Sequence, residues 1–269
     1  MLTTLPQLRI ELAPAAEALK RVGRRLADSL RSAPDPGVPV PGLTWTLGEL
    51  AAHLAARSAA FAGYLDGTVE PETDIGRMAE LNQRQIDESR EVPFETHVEL
   101  MAASVAAFVE TTKGRLGTDP YPWHSSLLID VATGTGLALA ELLVHGHDVA
   151  RALRRPWPIS AEDARTALKA SIALSPRYLD RAAVRGRRLS CRLAIRGVDP
   201  LVLRIENEEL TALPADASAD CTVRARPAPF LLVSFGRVSP WRAASTLQVV
   251  ATGRRPWRAL SFMRAFLPP

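Results

Sequence analysis

The chain is short of cysteine, lysine and aromatic residues, and it has no long apolar run. Each shortage closes a class of function. Only Cys191 and Cys221 occur among 269 residues, well separated and without CxxC spacing. They exclude a disulfide scaffold and a cysteine-based zinc site, and they lead us to expect a reducing, cytoplasmic setting. No stretch of about 18 uncharged apolar residues is present, so no membrane-spanning helix and no membrane partner are expected. The first residues, Met1 to Arg21, lack a short apolar segment behind a basic start, so no secretory leader is expected either. Lysine accounts for three of the 33 basic residues (Lys20, Lys113, Lys169). The arginines are scattered, and aromatics, 6% of the chain, rarely interleave with them, which argues against a nucleic-acid partner. Arginine in place of lysine, with abundant alanine and proline, fits a GC-rich bacterial coding sequence, a matter of codons.

What is present is ordinary globular material: 47% hydrophobic and 23% charged residues, enough chain for one to three domains and a sizeable core. The net charge of +4 conceals a split. Residues 1–150 carry 12 basic against 20 acidic side chains, and residues 151–269 carry 21 against 9. Two modules of opposite charge are expected, able to attract each other across a cleft.

Hydrophobic periodicity divides the chain in the same way. Helical spacing runs through Ala15–Arg31 and from Thr46 to about Leu65, where Thr46 and Glu49 form a capping-box pattern. It continues through Ile75–Ser89, Phe94–Leu116, and Thr135 to about Leu153. Asp119–Trp123 reads as a loop, and the type of Leu127–Val131 is not set by its pattern. These helices suggest a four-helix bundle with an extra segment. After Pro156 and Pro158 one more helix, Ala161–Val184, is expected as a bridge. The period then changes from 3.6 to 2. Strands are expected at Leu189–Ile195, Leu201–Glu206, Leu210–Leu213, Asp220–Arg226 and Thr246–Ala251, with short helices at Pro229–Phe235 and Pro256–Phe266. The fold class is therefore α+β, with domains at 1–155 and 185–269 and a bridging helix at 156–184.

Five histidines carry the chemical signal: His53, His97, His124, His145 and His147. On a helix, Glu141, His145 and Asp148 fall within roughly 60° of one another, while His147 points roughly 120° away from Glu141. This polar stripe sits on an otherwise apolar helix, and buried acids and imidazoles need partners. Glu141 and His145 can share one divalent cation, and His53, on a separate capped helix, is the best third ligand. Three protein ligands leave a position for water or substrate. Each residue also has a plainer reading. Glu141 and His145 can be an ordinary i, i+4 pair, and His53 a hydrogen-bonded core residue. Asp148 can pair with Arg151 or Arg154. His97 and His124 are expected at the surface, and Cys191 and Cys221 as buried thiols.

The segments Gly42-Leu-Thr-Trp-Thr-Leu-Gly-Glu49-Leu-Ala-Ala-His53-Leu and Glu141-Leu-Leu-Val-His145-Gly-His-Asp148 resemble the mycothiol-dependent maleylpyruvate isomerase family. That family lies within the wider group of DinB-like metal-binding four-helix bundles. The resemblance covers roughly the first 155 residues. It implies a divalent metal, commonly zinc, on His53, Glu141 and His145, and mycothiol, a thiol of actinobacteria, as co-substrate. The thiolate would add to an electrophilic small molecule, as an isomerase or an S-transferase. Asp148 becomes the candidate catalytic residue, orienting a ligand or the incoming thiol. The second module resembles a sterol-carrier-like domain at Arg188–Arg196, Asp199-Pro-Leu201, Ala219–Val223 and Gly236-Arg-Val, and departs from it at Thr252-Gly253. Binding of a lipid or small apolar ligand, or a bundle without catalysis, are the competing functions.

Overall fold

A computed structural model describes residues 5–124 and 127–267. The outermost residues of the stretch read for a leader and of the C-terminal module lie outside the described residues. The chain forms two compact units. One is Ile10–Pro158; the other runs from Ile159 onward and takes in the described residues up to Arg9. A three-ten turn at Pro6–Leu8 belongs to this second unit, where the Lys169 ammonium donates to the Arg9 carbonyl at 3.0 Å. No helix among the described residues is long and apolar enough to cross a membrane.

The first unit contains α1 (Leu12–Arg31), α2 (Leu47–Asp66), α3 (Met78–Glu88), α4 (Phe94–Thr112), β1 (Pro120–Trp123), β2 (Leu127–Asp130) and α5 (Val131–Ala152). Helix α1 packs on α4 and α5, and α2 on the same two, so these four close a ring around a common core; α3 leans on α2. The core is the apolar face the periodicity marks: Leu19, Leu26, Leu50, Leu54, Met101, Phe108, Leu139 and Leu142 are all buried.

Three local expectations change. Pro120–Trp123 is not a loop: it pairs antiparallel with Leu127–Asp130, and the buried Tyr121 hydroxyl donates to the Phe61 carbonyl of α2 at 2.9 Å. Helix α5 begins at Val131 and not at Thr135, because the Asp130 carboxylate accepts from the Thr133 amide and caps it there. Helix α4 stops at Thr112, just before Lys113 and the left-handed Gly114.

The second unit contains α6 (Ala161–Leu174), α7 (Arg181–Val184), β3 (Leu189–Ile195), β4 (Leu201–Glu206), β5 (Glu209–Leu213), β6 (Cys221–Ala225), α8 (Pro227–Ser234), α9 (Pro240–Ser245), β7 (Val249–Thr252) and α10 (Arg258–Met263). The sheet order is β5-β4-β3-β6-β7, antiparallel except for β3 beside β6. Asn207 and Glu208 both take positive φ, the turn a tight β4–β5 hairpin requires. Burial alternates along all of β3, as the sequence pattern requires. The expected bridging helix breaks: Pro176 ends α6 in a three-ten turn at Ser175–Arg177, and α7 is a separate turn capped by Asp180. The last strand starts later than expected, at Val249, since Leu247 takes positive φ.

Candidate metal centre

Helix α2 is held at its start by the pair seen in the sequence. The Thr46 hydroxyl accepts from the Glu49 amide at 3.2 Å, and the Thr46 amide donates to Glu49 Oε2 at 2.8 Å. This fixes where α2 begins and so which residue, two turns on, enters the bundle. That residue is His53, buried beside Leu50 and Leu54. Helix α5 supplies Glu141 and His145 from the facing side. Gly146 lets α5 approach Trp157: a β-carbon there would lie 2.1 Å from the indole ring. Trp157 is held by its indole N–H donating to the Leu143 carbonyl at 3.1 Å and by the Arg25 guanidinium 3.7 Å from its ring centre. A larger residue at 146 would push Trp157 away from the helix that carries His145.

The three side chains converge. His53 Nε2 donates to Glu141 Oε1 at 2.9 Å, and His145 Nε2 lies 3.5 Å from the same oxygen. One nitrogen or oxygen from each residue lies within 4.8 Å of the others. The two imidazole rings are 5.2 Å apart and nearly perpendicular, and Trp45 covers His53 at 4.8 Å between ring centres. Asp148, almost wholly buried, accepts from His145 Nδ1 at 3.0 Å. Its carboxylate thereby turns His145 Nε2 toward Glu141. His147 is half-buried and outside the cluster.

The electrostatics follow from this arrangement. Burial opposes the charged form of His145, but the Glu141 charge and the hydrogen bonds the ring donates to Asp148 and Glu141 outweigh it and hold the imidazole up to about 9. Burial likewise opposes ionised Glu141, yet the charge and hydrogen bonds of His145 and His53 hold its carboxyl well below the usual carboxylate range. For His53 burial wins over Glu141 and keeps the ring neutral. Two imidazole nitrogens and one carboxylate oxygen are the donor types that borderline divalent ions such as zinc prefer. A neutral His53, an ionised Glu141 and a His145 whose outer nitrogen is tied to a carboxylate suit such an ion, with one proton to be displaced from His145.

Three of the sequence expectations for single residues fail. His97 and His124 are buried, not at the surface. His97 lies one turn before Met101 on the inner face of α4, a placement its i, i+4 spacing already implies. His124 directly follows β1 and packs against Trp123 and Tyr64, with ring centres 4.8 and 5.5 Å away. Asp148 turns to His145, where the sequence favoured a pairing with Arg151 or Arg154. Cys191 and Cys221 are buried, as expected, side by side in register on β3 and β6. Sequence reasoning also passed over Arg57, buried one turn beyond His53; an arginine on the inner face of an Ala/Leu-rich helix was the available signal.

A family model described as the mycothiol maleylpyruvate isomerase N-terminal domain matches residues 15–150. A crystal structure of the mycothiol-dependent maleylpyruvate isomerase has a similar fold, at 14% identity and a TM-score of 0.56, covering 90% of this chain and 93% of that one. A structure of a histidine-to-alanine mutant of that isomerase matches at 13% identity and a TM-score of 0.55, with the same coverage. No curated protein matches. At this identity the structural likeness establishes the α+β fold, while the family model, which spans half of the sequence and includes both α2 and α5, establishes descent. The chain belongs to the mycothiol maleylpyruvate isomerase family.

Proposed function

We propose that this protein is a divalent-metal-dependent enzyme that uses a low-molecular-weight thiol of the mycothiol kind on an electrophilic small molecule, as an isomerase or an S-transferase. The observation that carries the proposal is the meeting of His53, Glu141 and His145 from two helices around one point inside the bundle. A divalent ion bound there, zinc by the donor set, would supply a Lewis-acid position that favours the thiolate form of a sulfur ligand at neutral pH. The residues of the chain do the remaining work. His53 and His145 present Nε2, and Glu141 presents Oε1, with no further change of helix position needed. Asp148 positions His145 and keeps its outer nitrogen protonated. Trp45 and the apolar walls of α2 and α5 keep bulk water from the ring of His53.

Family membership supports the thiol and the small-molecule substrate; many reactions share one scaffold, so the reaction itself needs an assay. The test is metal content of the purified full-length protein against His53→Ala and Glu141→Ala, followed by conjugation and isomerisation assays with mycothiol. About one equivalent of metal in the parent and less than a tenth in both variants is expected. Equal metal in all three ends the proposal, as does a metal-loaded parent that consumes no thiol with any electrophile tried.

A further inference from the structure

Arg57 lies one helical turn beyond His53 on α2, and it is 8% exposed. No aspartate or glutamate pairs with it among the described residues. Its partners are all neutral: Nη2 donates to His124 Nε2 at 3.4 Å, the Tyr64 hydroxyl lies within hydrogen-bonding range of the guanidinium, and the guanidinium sits 5.2 Å from the centre of the Phe61 ring. His124 does not supply a charge either, since burial above all, and then the neighbouring Arg57 charge, push its imidazole down to about 4. Close by, the Trp123 indole N–H is buried without a partner.

A guanidinium enclosed in this way is costly unless an anion offsets it. Two neutral acceptors and an aromatic face satisfy part of its hydrogen bonding, and the Glu72 carboxylate, near enough to act on Tyr64 and His124, forms no ion pair with it. The walls are Phe61, Tyr64 and Trp123, all aromatic, and the donors are the planar guanidinium and the Trp123 indole N–H. The parallel N–H groups of a guanidinium match the two oxygens of a carboxylate, and flat aromatic walls suit a planar anion. Residues three or four apart on a helix are neighbours, which sets this fork beside His53 and not at a distance from it.

We propose that Arg57, with His124 and Tyr64 at its sides, forms a subsite for a carboxylate group of the small-molecule substrate, one turn along α2 from His53. That the carboxylate belongs to a substrate rests on the function proposed above. That the subsite takes a carboxylate does not, and the test keeps the two apart.

Succinate and its uncharged counterpart succinamide are titrated calorimetrically into the full-length protein in low-salt buffer, as purified and after treatment with a chelator. Succinate is expected to bind at least tenfold tighter than succinamide in both samples. Arg57→Met is expected to lower succinate affinity at least tenfold while leaving the melting temperature unchanged or higher, because a methionine of similar volume replaces a buried charge that has no ion-pair partner among the described residues. Arg57→Lys, which keeps the charge and loses the fork, is expected to weaken succinate several-fold and serves if the methionine variant does not fold. Succinate binding that is unchanged in either folded variant overturns the proposal. So does equal binding of succinate and succinamide, or succinate binding that disappears with the chelator. Arg57-dependent binding in a protein that never holds metal upholds the subsite and removes only the function proposed for His53, Glu141 and His145.

Discussion

The two units of this protein bury different things. Among the described residues, the buried polar and charged side chains include His53, Arg57, Ser58, His97, His124, His145 and Asp148 in the helical unit, but only Asp163 in the sheet-bearing one. The core of the second unit is Leu193, Ile195, Leu203, Ile205, Val223 and their neighbours, with the two cysteine thiols as its softest groups. Its main polar network stands at a rim, where the Asp220 carboxylate accepts from the Ser190 amide at 3.0 Å and pairs with Arg258 at 2.9 Å. Both units use the same apolar packing to stay folded. The helical one encloses most of the groups that are expensive to enclose, and such groups persist where they are fully partnered or where they act on something.

The contrast makes a first, largest prediction. Leu203→Ala, in the dry core of the sheet, should cost about 2–5 kcal/mol of stability, read by chemical denaturation, yet leave metal content per folded molecule unchanged. A loss of metal in that variant would mean that the two units do not divide the work in this way. Asp148→Asn should do the opposite. It should leave the fold nearly intact and weaken metal binding by about 10–100-fold, measured by competition with a chromophoric chelator, because His145 loses the group that aims it.

Acidity sharpens the same comparison. In the metal-free protein His145 is held up to about 9 against an ordinary value of 6.5. A raised value means the charged imidazole stabilises the fold fully below about pH 6.5, and that this contribution fades as pH rises through about 9. Glu141 is depressed, so its contribution is present above its ordinary value of 4.5 and is lost on acidification. Denaturation midpoints of metal-free protein should therefore fall between pH 7 and 10, and His145→Gln should flatten that fall. Metal affinity should move the other way, rising about tenfold per pH unit from 7 toward 9, since binding displaces the His145 proton. The smallest effect is expected at the start of α2: Thr46→Ala should cost about 1 kcal/mol, seen as a drop of a few degrees in melting temperature.

Much of the candidate site was legible before any coordinates. Glu141 and His145 are four apart, so one helix face had to carry both, and the Thr46–Glu49 pattern located the helix that carries His53. That Asp148 would choose His145 over Arg151 was not legible, although i+3 spacing allowed it. The choice depends on burial: with the side chain 1% exposed, the buried imidazole one turn back is a partner within its reach. His124 was misplaced for a related reason. Next to a stretch read as a loop it looked like a surface residue, and only the β1–β2 pairing folds it back onto Tyr64 and Arg57. Arg57 shows the reverse case, since the arithmetic that placed Glu141 and His145 would have placed it one turn from His53.

The linear order of residues by itself determined the two regimes of the chain, helical period first and strand period after, because burial of one face follows from spacing alone. It also determined that two well-separated cysteines offer no disulfide scaffold. Which side chains meet was decided by tertiary structure. Residues 53 and 141 are 88 positions apart, and nothing in local spacing specifies that α2 and α5 pack with these faces opposed. That choice comes from filling a common core and from satisfying the buried polar groups left inside it, and both depend on all four helices at once.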